Sequence, residues 1–137
     1  MTEPEDATAI RDRLVRWTEA VASGDRHGIL SEHADDLLMF DFPDTVRGLK
    51  AYDRTWAFFD DSRRGPVTFA PRGIEVTAGD DVGFATCEIH CDGTTAGSFD
   101  LRLTVCLKKR EGDWVVTHEH HSVPTTDERL IGPDVQR

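Results

Sequence analysis

Two stretches of this chain carry side chains that could move a proton. Ala34-Asp-Asp-Leu-Leu-Met-Phe-Asp41-Phe-Pro43 sets one carboxylate, Asp41, between apolar neighbours, and Trp114-Val-Val-Thr-His-Glu-His-His-Ser-Val-Pro124 gathers His118, Glu119, His120 and His121. Apolar surroundings raise the pKa of a carboxylate, and an imidazole titrates near neutrality unaided, so these are the residue types of general acid–base catalysis. The second stretch alternates apolar and polar residues as a half-buried strand does, which puts Thr117, Glu119 and His121 on one face and His118 and His120 on the other. Asp41 falls where a helical pattern gives way to a strand pattern, so it is expected at a strand end. Proton abstraction by Asp41 or Glu119, with His121 as partner acid or as orienter, is the chemistry this set could perform. A buried histidine–carboxylate pair that only ties strands together would use the same residues.

The elements that must position these groups read as helices first and strands after. Ile10, Leu14, Trp17 and Val21 form one apolar stripe of an amphipathic helix ending near Ser23-Gly24, with glycine as a left-handed cap. Asp25 caps a second, short helix that buries Ile29 and Leu30; Ala34-Asp35-Asp36 is expected to break it before a strand over Leu37–Phe42. After Gly48 a third helix presents Tyr52, Trp56 and Phe59 on one side. Strands are predicted over Val67–Thr77, Val82–Cys91, Phe99–Lys109 and Trp114–Val123. The linker Arg110-Glu111-Gly112 suggests a type I turn plus a bulge, pairing Lys109 with Asp113 and hence Thr104 with His118, Leu103 with Glu119 and Arg102 with His120. Helices followed by a long antiparallel sheet make an α+β fold, a curved sheet packed against a helical layer.

Length and charge bound the partners. A chain of 137 residues suits one domain over 1–137. With 26 Asp+Glu against 16 Lys+Arg the formal charge is −10, which opposes binding to nucleic acid or anionic lipid. There is no apolar run approaching the roughly 18 residues of a membrane span, and Met1-Thr-Glu-Pro-Glu-Asp is too acidic for a signal peptide, so a cytoplasmic protein is expected. Cys87 and Cys91, four apart on one strand, would be roughly 13 Å apart, beyond disulfide reach. With Cys106 they make an odd count, which suits a reducing compartment.

Ala20-Val-Ala-Ser-Gly24-Asp25, Ala34-Asp35-Asp36 with Asp41 five residues on, the third helix, and Gly112-Asp-Trp114 followed by His118-Glu-His-His-Ser122 resemble the nuclear transport factor 2-like superfamily, in its SnoaL-like and ketosteroid-isomerase-like branch. The resemblance covers nearly the whole chain and implies a cone-shaped α+β barrel. It aligns Asp41 with the general base of the isomerases. The position of their oxyanion-hole phenol falls at Trp17, and that of their second, carboxylic acid donor at Thr104 or Val105, so neither oxyanion donor is kept. The scaffold hosts isomerases, cyclases, dehydratases and non-catalytic modules alike.

The parity implied by the resemblance points Ala85, Cys87, Ile89, Cys91, Leu101, Leu103, Val105, Thr117, Glu119 and His121 into a cup, with Trp17, Phe40, Trp56 and Phe59 closing it from the helical side. An apolar cup with one polar wall is the usual form of a small-molecule site. The expected ligand is thus a small hydrophobic molecule, contacted by Trp17, Phe40, Trp56, Phe59, Cys87, Ile89, Leu101, Leu103 and Thr117. Asp41, Glu119 and His121 are the candidate catalytic groups, with no cofactor and no metal. Glu88, His90, Arg102, Thr104, His118 and His120 fall on the opposite face; a His-x-His metal site is conceivable there, but a homodimer interface around Arg102, His118 and His120 is the stronger expectation. Two functions stay open: a cofactor-independent isomerase, cyclase or dehydratase using Asp41 as general base on a hydrophobic metabolite, with activity depending on Asp41 more than on Glu119 or His121, and a non-catalytic ligand-binding or dimerisation module.

Overall fold

The computed structural model describes residues 3–127 and 129. Helix α1 spans Glu5–Ser23 and buries Ile10, Leu14, Trp17 and Val21, the predicted stripe. Gly24 ends it in the left-handed conformation, φ 76°, where a side chain would be strained. The Asp25 side chain accepts a hydrogen bond from the Gly28 amide and caps α2, Arg26–Leu30. Strand β1 then runs His33–Phe40 and the short strand β2 Thr45–Arg47, ahead of helix α3, Leu49–Asp61, with Tyr52 and Trp56 buried. Four long strands follow: β3 Arg63–Ala78, β4 Val82–Thr94, β5 Phe99–Arg110 and β6 Asp113–Ser122.

All six strands form one sheet in the order β2-β1-β6-β5-β4-β3. Every pairing is antiparallel except β1 with β6, which run parallel. The sheet is curved and open, with β2 and β3 as its edges, and the helices pack against its concave side to give a cone-shaped α+β fold. Among the described residues no helix is long and apolar enough to cross a membrane, and all three cysteines are free thiols.

The structure departs from the sequence reading at three points. Ala34-Asp35-Asp36 does not break a helix; it lies within β1, which begins at His33. Two exposed acids in succession interrupt a period-2 pattern, and the strand absorbs them at a register shift against β6 between His33 and Leu38. The short edge strand β2 carries no sequence signal of its own. The third correction concerns the β5–β6 hairpin. Its turn has two residues, Glu111 (φ 52°) and Gly112 (φ 86°), so Arg110 pairs with Asp113 and Lys109 with Trp114. Positive φ at both central positions is the type I′ arrangement, whose twist matches that of the flanking strands. A bulge at Thr117 then shifts the ladder again, between Leu107 opposite Val116 and Cys106 opposite His118. Glu119 therefore faces Val105, His120 faces Thr104 and His121 faces Leu103.

The core fills the cup. Trp17 from α1, Trp56 and Phe59 from α3 and Phe69 from β3 pack edge to face, with ring centroids 5.4–6.0 Å apart. Ala85, Cys87, Ile89, Cys91, Leu101, Leu103 and Val105 pave the sheet side of this core and are all buried.

Candidate functional site

The bulge decides where the polar residues of β6 point. Trp114 and Val116 are buried before it and Glu119 and His121 after it, so the extra residue at Thr117 keeps two rows of different parity on the same inner face. Glu119 is 1% exposed, a carboxylate in the middle of an apolar core. Such a group must be saturated with donors, and three converge on it. His121 Nε2 lies 2.8 Å from Oε1, while His33 Nε2 at 2.8 Å and the Tyr52 hydroxyl at 2.7 Å share Oε2. The Tyr52 oxygen in turn accepts from the Trp17 indole N–H at 2.9 Å, and His33 Nδ1 donates to the Ser31 carbonyl at 2.8 Å.

Each partner comes from a different element: Trp17 from α1, His33 from β1, Tyr52 from α3, and Glu119 and His121 from β6. Burial pushes the Glu119 carboxyl up, but the hydrogen bonds from His121 and His33 outweigh it and hold the group at about 2. For Tyr52, burial and the adjacent Glu119 charge act together and push the phenol well above its usual range, so it serves as a donor and not as an anion. His121 packs edge-on to Trp17 at 6.1 Å and near Trp56 at 6.3 Å. Its Nδ1 has no hydrogen-bond partner among the described residues.

Of the residues singled out from sequence, the structure brings Trp17, Glu119 and His121 into hydrogen-bonded or ring contact, with Trp56 and Phe59 packed beside them. Cys87, Ile89, Leu101 and Leu103 are buried in the sheet wall, and burial raises the Cys87 thiol to about 11, which leaves it un-ionised near neutrality. Thr117 is the bulge residue, and its hydroxyl donates to the Cys106 carbonyl at 3.3 Å. Asp41 is half-buried and lies one residue past β1, its amide bonded to the Asp44 carbonyl; it extends the inward row of Leu37 and Met39 but is not part of the Glu119 network. Phe40 stands apart from the aromatic cluster. It is 39% exposed and packs against His118 and His120 at 5.1 and 5.5 Å, on the outer face with exposed Arg102.

His33 and Tyr52 are the site residues that sequence reasoning missed. His33 was hidden in a connection read as helix-breaking. Tyr52 was read as apolar packing, yet it is the one tyrosine of the chain, and a tyrosine on a buried stripe needs a partner for its hydroxyl.

Two spaces adjoin the network. A small cavity of about 10 Å³, bordered by Leu14, Trp17, His33, Val105 and Glu119, has room for one water at most. A cleft of about 380 Å³ opens between α1 and the corner from α2 into β1, bordered by Arg13, Arg16, Trp17, Glu32 and His33. Arg13 borders both spaces and is ion-paired with Glu32; burial lowers its guanidinium to about 10. No group of three or more His, Cys, Asp or Glu among the described residues is arranged to hold a metal ion.

Comparison with known proteins places this architecture. Residues 10–126 match the SnoaL-like domain. The chain belongs to that family. Among solved structures this SnoaL-like protein is similar to an "NTF2-like protein of unknown function" from Pseudomonas putida KT2440, with 27% identity, 100% of both chains covered and a TM-score of 0.85. It shares its fold with a "putative ketosteroid isomerase" from Shewanella frigidimarina, at 20% identity over 81% of this chain and 92% of the other, TM-score 0.71. A "putative dehydratase from the NTF2-like family" of Streptomyces avermitilis has the same fold, at 14% identity over 88% and 97%, TM-score 0.75. A comparison with curated proteins finds no match.

Proposed function

We propose that this SnoaL-like protein is a cofactor-independent acid–base enzyme, an isomerase, cyclase or dehydratase acting on a small hydrophobic molecule, with His121 as the group that moves the proton. The observation that carries the reading is the set of donors on Glu119. His121 Nε2 lies 2.8 Å from Oε1 of an ionised carboxylate, so Nε2 holds the hydrogen and Nδ1 is left as the lone-pair nitrogen. A carboxylate that fixes the tautomer and orientation of an imidazole base is a recurrent catalytic arrangement. Asp41, at the end of the neighbouring inward row, is the second titratable group in this reading and would meet the ligand at the rim. Neighbours of the same fold described as an isomerase and a dehydratase are consistent with proton-transfer chemistry.

The test is a thermal-shift screen against hydrophobic metabolites bearing a carbonyl or hydroxyl group, followed by turnover assays on any hit. Replacing His121 by Asn should lower turnover by about 10²–10⁴-fold with little change in affinity, and Asp41→Asn should lower it less. Wild-type turnover by the His121→Asn variant would end the reading.

A non-catalytic binding or dimerisation module has its own supporting observation. The cup interior is occupied by Trp17, Trp56, Phe59 and Phe69, and the cavity beside Glu119 amounts to about 10 Å³. Under the enzymatic reading these rings must move to admit substrate, and under the module reading they stay.

A further inference from the structure

The histidine that sequence reasoning missed decides what the other histidine can do. His33 is saturated on both ring nitrogens by acceptors: Nδ1 by the Ser31 carbonyl at 2.8 Å and Nε2 by Glu119 Oε2 at 2.8 Å. A neutral imidazole has one donor and one acceptor, so with an ionised Glu119 both hydrogen bonds form only if His33 carries a proton on each nitrogen. His121 has one such acceptor, Glu119 Oε1, and none on Nδ1 among the described residues. The Tyr52 hydroxyl also lies 3.1 Å from His33 Nε2, but its one hydrogen takes the shorter path to Oε2 at 2.7 Å and its oxygen accepts from Trp17, so it supplies no hydrogen to Nε2 and the count stands.

We propose that His33 is a positioning residue for the site: it holds, as an imidazolium, the one positive charge that balances Glu119, and so keeps His121 neutral with a free Nδ1. The inference rests on the acid–base reading of His121 given above and extends it to a residue that need not touch substrate. Two side-chain carboxylate oxygens and two imidazoles define a site with one negative charge and two candidates for the compensating proton. The geometry gives it to the candidate with two acceptors. A second proton, on His121, would leave the buried cluster with a net positive charge and no added acceptor to receive it. The other charged and titratable groups facing the cluster are Tyr52 from α3, a donor, and Arg13 from α1, which borders the same small cavity and is balanced by Glu32. From the sheet that cavity meets the apolar Ala85, Val105, Leu107 and Val116 besides Glu119 and His33 themselves.

The consequence is a transfer of charge when His33 is removed. With glutamine at position 33 the Glu119 carboxylate keeps a neutral donor but loses its counter-charge, and the proton passes to His121. His121 Nδ1 is then protonated and cannot act as a base at the same pH. Removing the Glu119 charge as well, in the double variant His33→Gln/Glu119→Gln, abolishes the demand and returns His121 to its neutral form.

The experiment is nitrogen-15 NMR of the full chain labelled at histidine, at pH 7.5, with resonances assigned by His33→Gln and His121→Asn variants and folding checked by amide dispersion. In the wild type His33 should show two pyrrole-like nitrogens, and His121 one pyrrole-like and one pyridine-like nitrogen. The pyridine-like signal of His121 should be lost in His33→Gln and recovered in the double variant. A wild-type spectrum in which His33 is neutral, or in which His121 carries both protons, overturns the proposal without needing any variant to fold. So does a His121 spectrum unchanged by His33→Gln. None of these outcomes depends on a substrate. Failure of the enzymatic reading would instead appear as unimpaired turnover by His121→Asn, whatever the spectra show.

Discussion

Replacing Glu119 by Gln would leave two buried imidazoles facing a neutral amide, and removing one partner of a buried ion pair costs about 3–5 kcal/mol. Denaturant unfolding at neutral pH checks that figure. The acid dependence follows from the direction of the shift. Because Glu119 is held at about 2 in the folded protein, below the 4.5 usual for glutamate, its contribution to stability is present above pH 4.5 and lost as pH falls toward 2. Wild type should therefore lose stability across that window, and Glu119→Gln should show a flatter profile there. At Tyr52 the change to Phe removes one donor from Glu119 and the acceptor of the Trp17 indole, so it should cost about 1–3 kcal/mol although it deletes a single oxygen. At this scale the sequence made Glu119 and His121 legible, because strand alternation assigns them a common face. It did not reveal that Tyr52 and His33 complete their hydrogen bonds, since those partners lie 67 and 86 residues away and no local pattern carries such a distance.

The elements were read with more success where the pattern was long. The stripe of α1, the buried side of α3 and four long strands all appear, because each repeats a period over many residues. What escaped were the places where one residue changes the count: the two acids inside β1, and the two-residue turn followed by the bulge at Thr117. The inner placement of Glu119 and His121 was expected from a register that the structure does not have, and the bulge is what makes both compatible. Deleting Thr117 would remove the bulge and join the two rows into one regular period, with Glu119 and His121 still inward opposite Val105 and Leu103, so that variant should keep cooperative unfolding by circular dichroism. In the turn itself Glu111 occupies a left-handed conformation that asparagine adopts more readily. The substitution Glu111→Asn should raise stability by about 0.5–1 kcal/mol, measured as a shift of the denaturant midpoint.

For the whole molecule, the outer face of the sheet is the feature that a single copy does not use. Cross-strand rows run Phe40–His120–Thr104–Thr86 and Leu38–His118–Cys106–Phe84, with Phe40 39% and Phe84 46% exposed and no helix over them. The expectation from sequence of a homodimer through Arg102, His118 and His120 is tested by sedimentation, which should find a dimer at neutral pH and micromolar concentration. A monomer at neutral pH removes it. The parallel pairing of β1 with β6 has a different consequence, in time and not in space. It joins the first strand to the last, with His33 opposite Val116 and Met39 opposite Glu119, whereas β3, β4, β5 and β6 are linked by successive hairpins. Closing a short loop loses less chain entropy than closing one of some eighty residues, so the hairpins should form early and the β1–β6 seam late. On a ribosome, residues 1–112 could emerge and collapse while Glu119 was still unmade, leaving His33, Tyr52 and Trp17 around a vacancy. The buried Glu119 cluster is thus the last part of the molecule to exist, and a Met39→Ala change at the seam should speed unfolding far more than it slows folding.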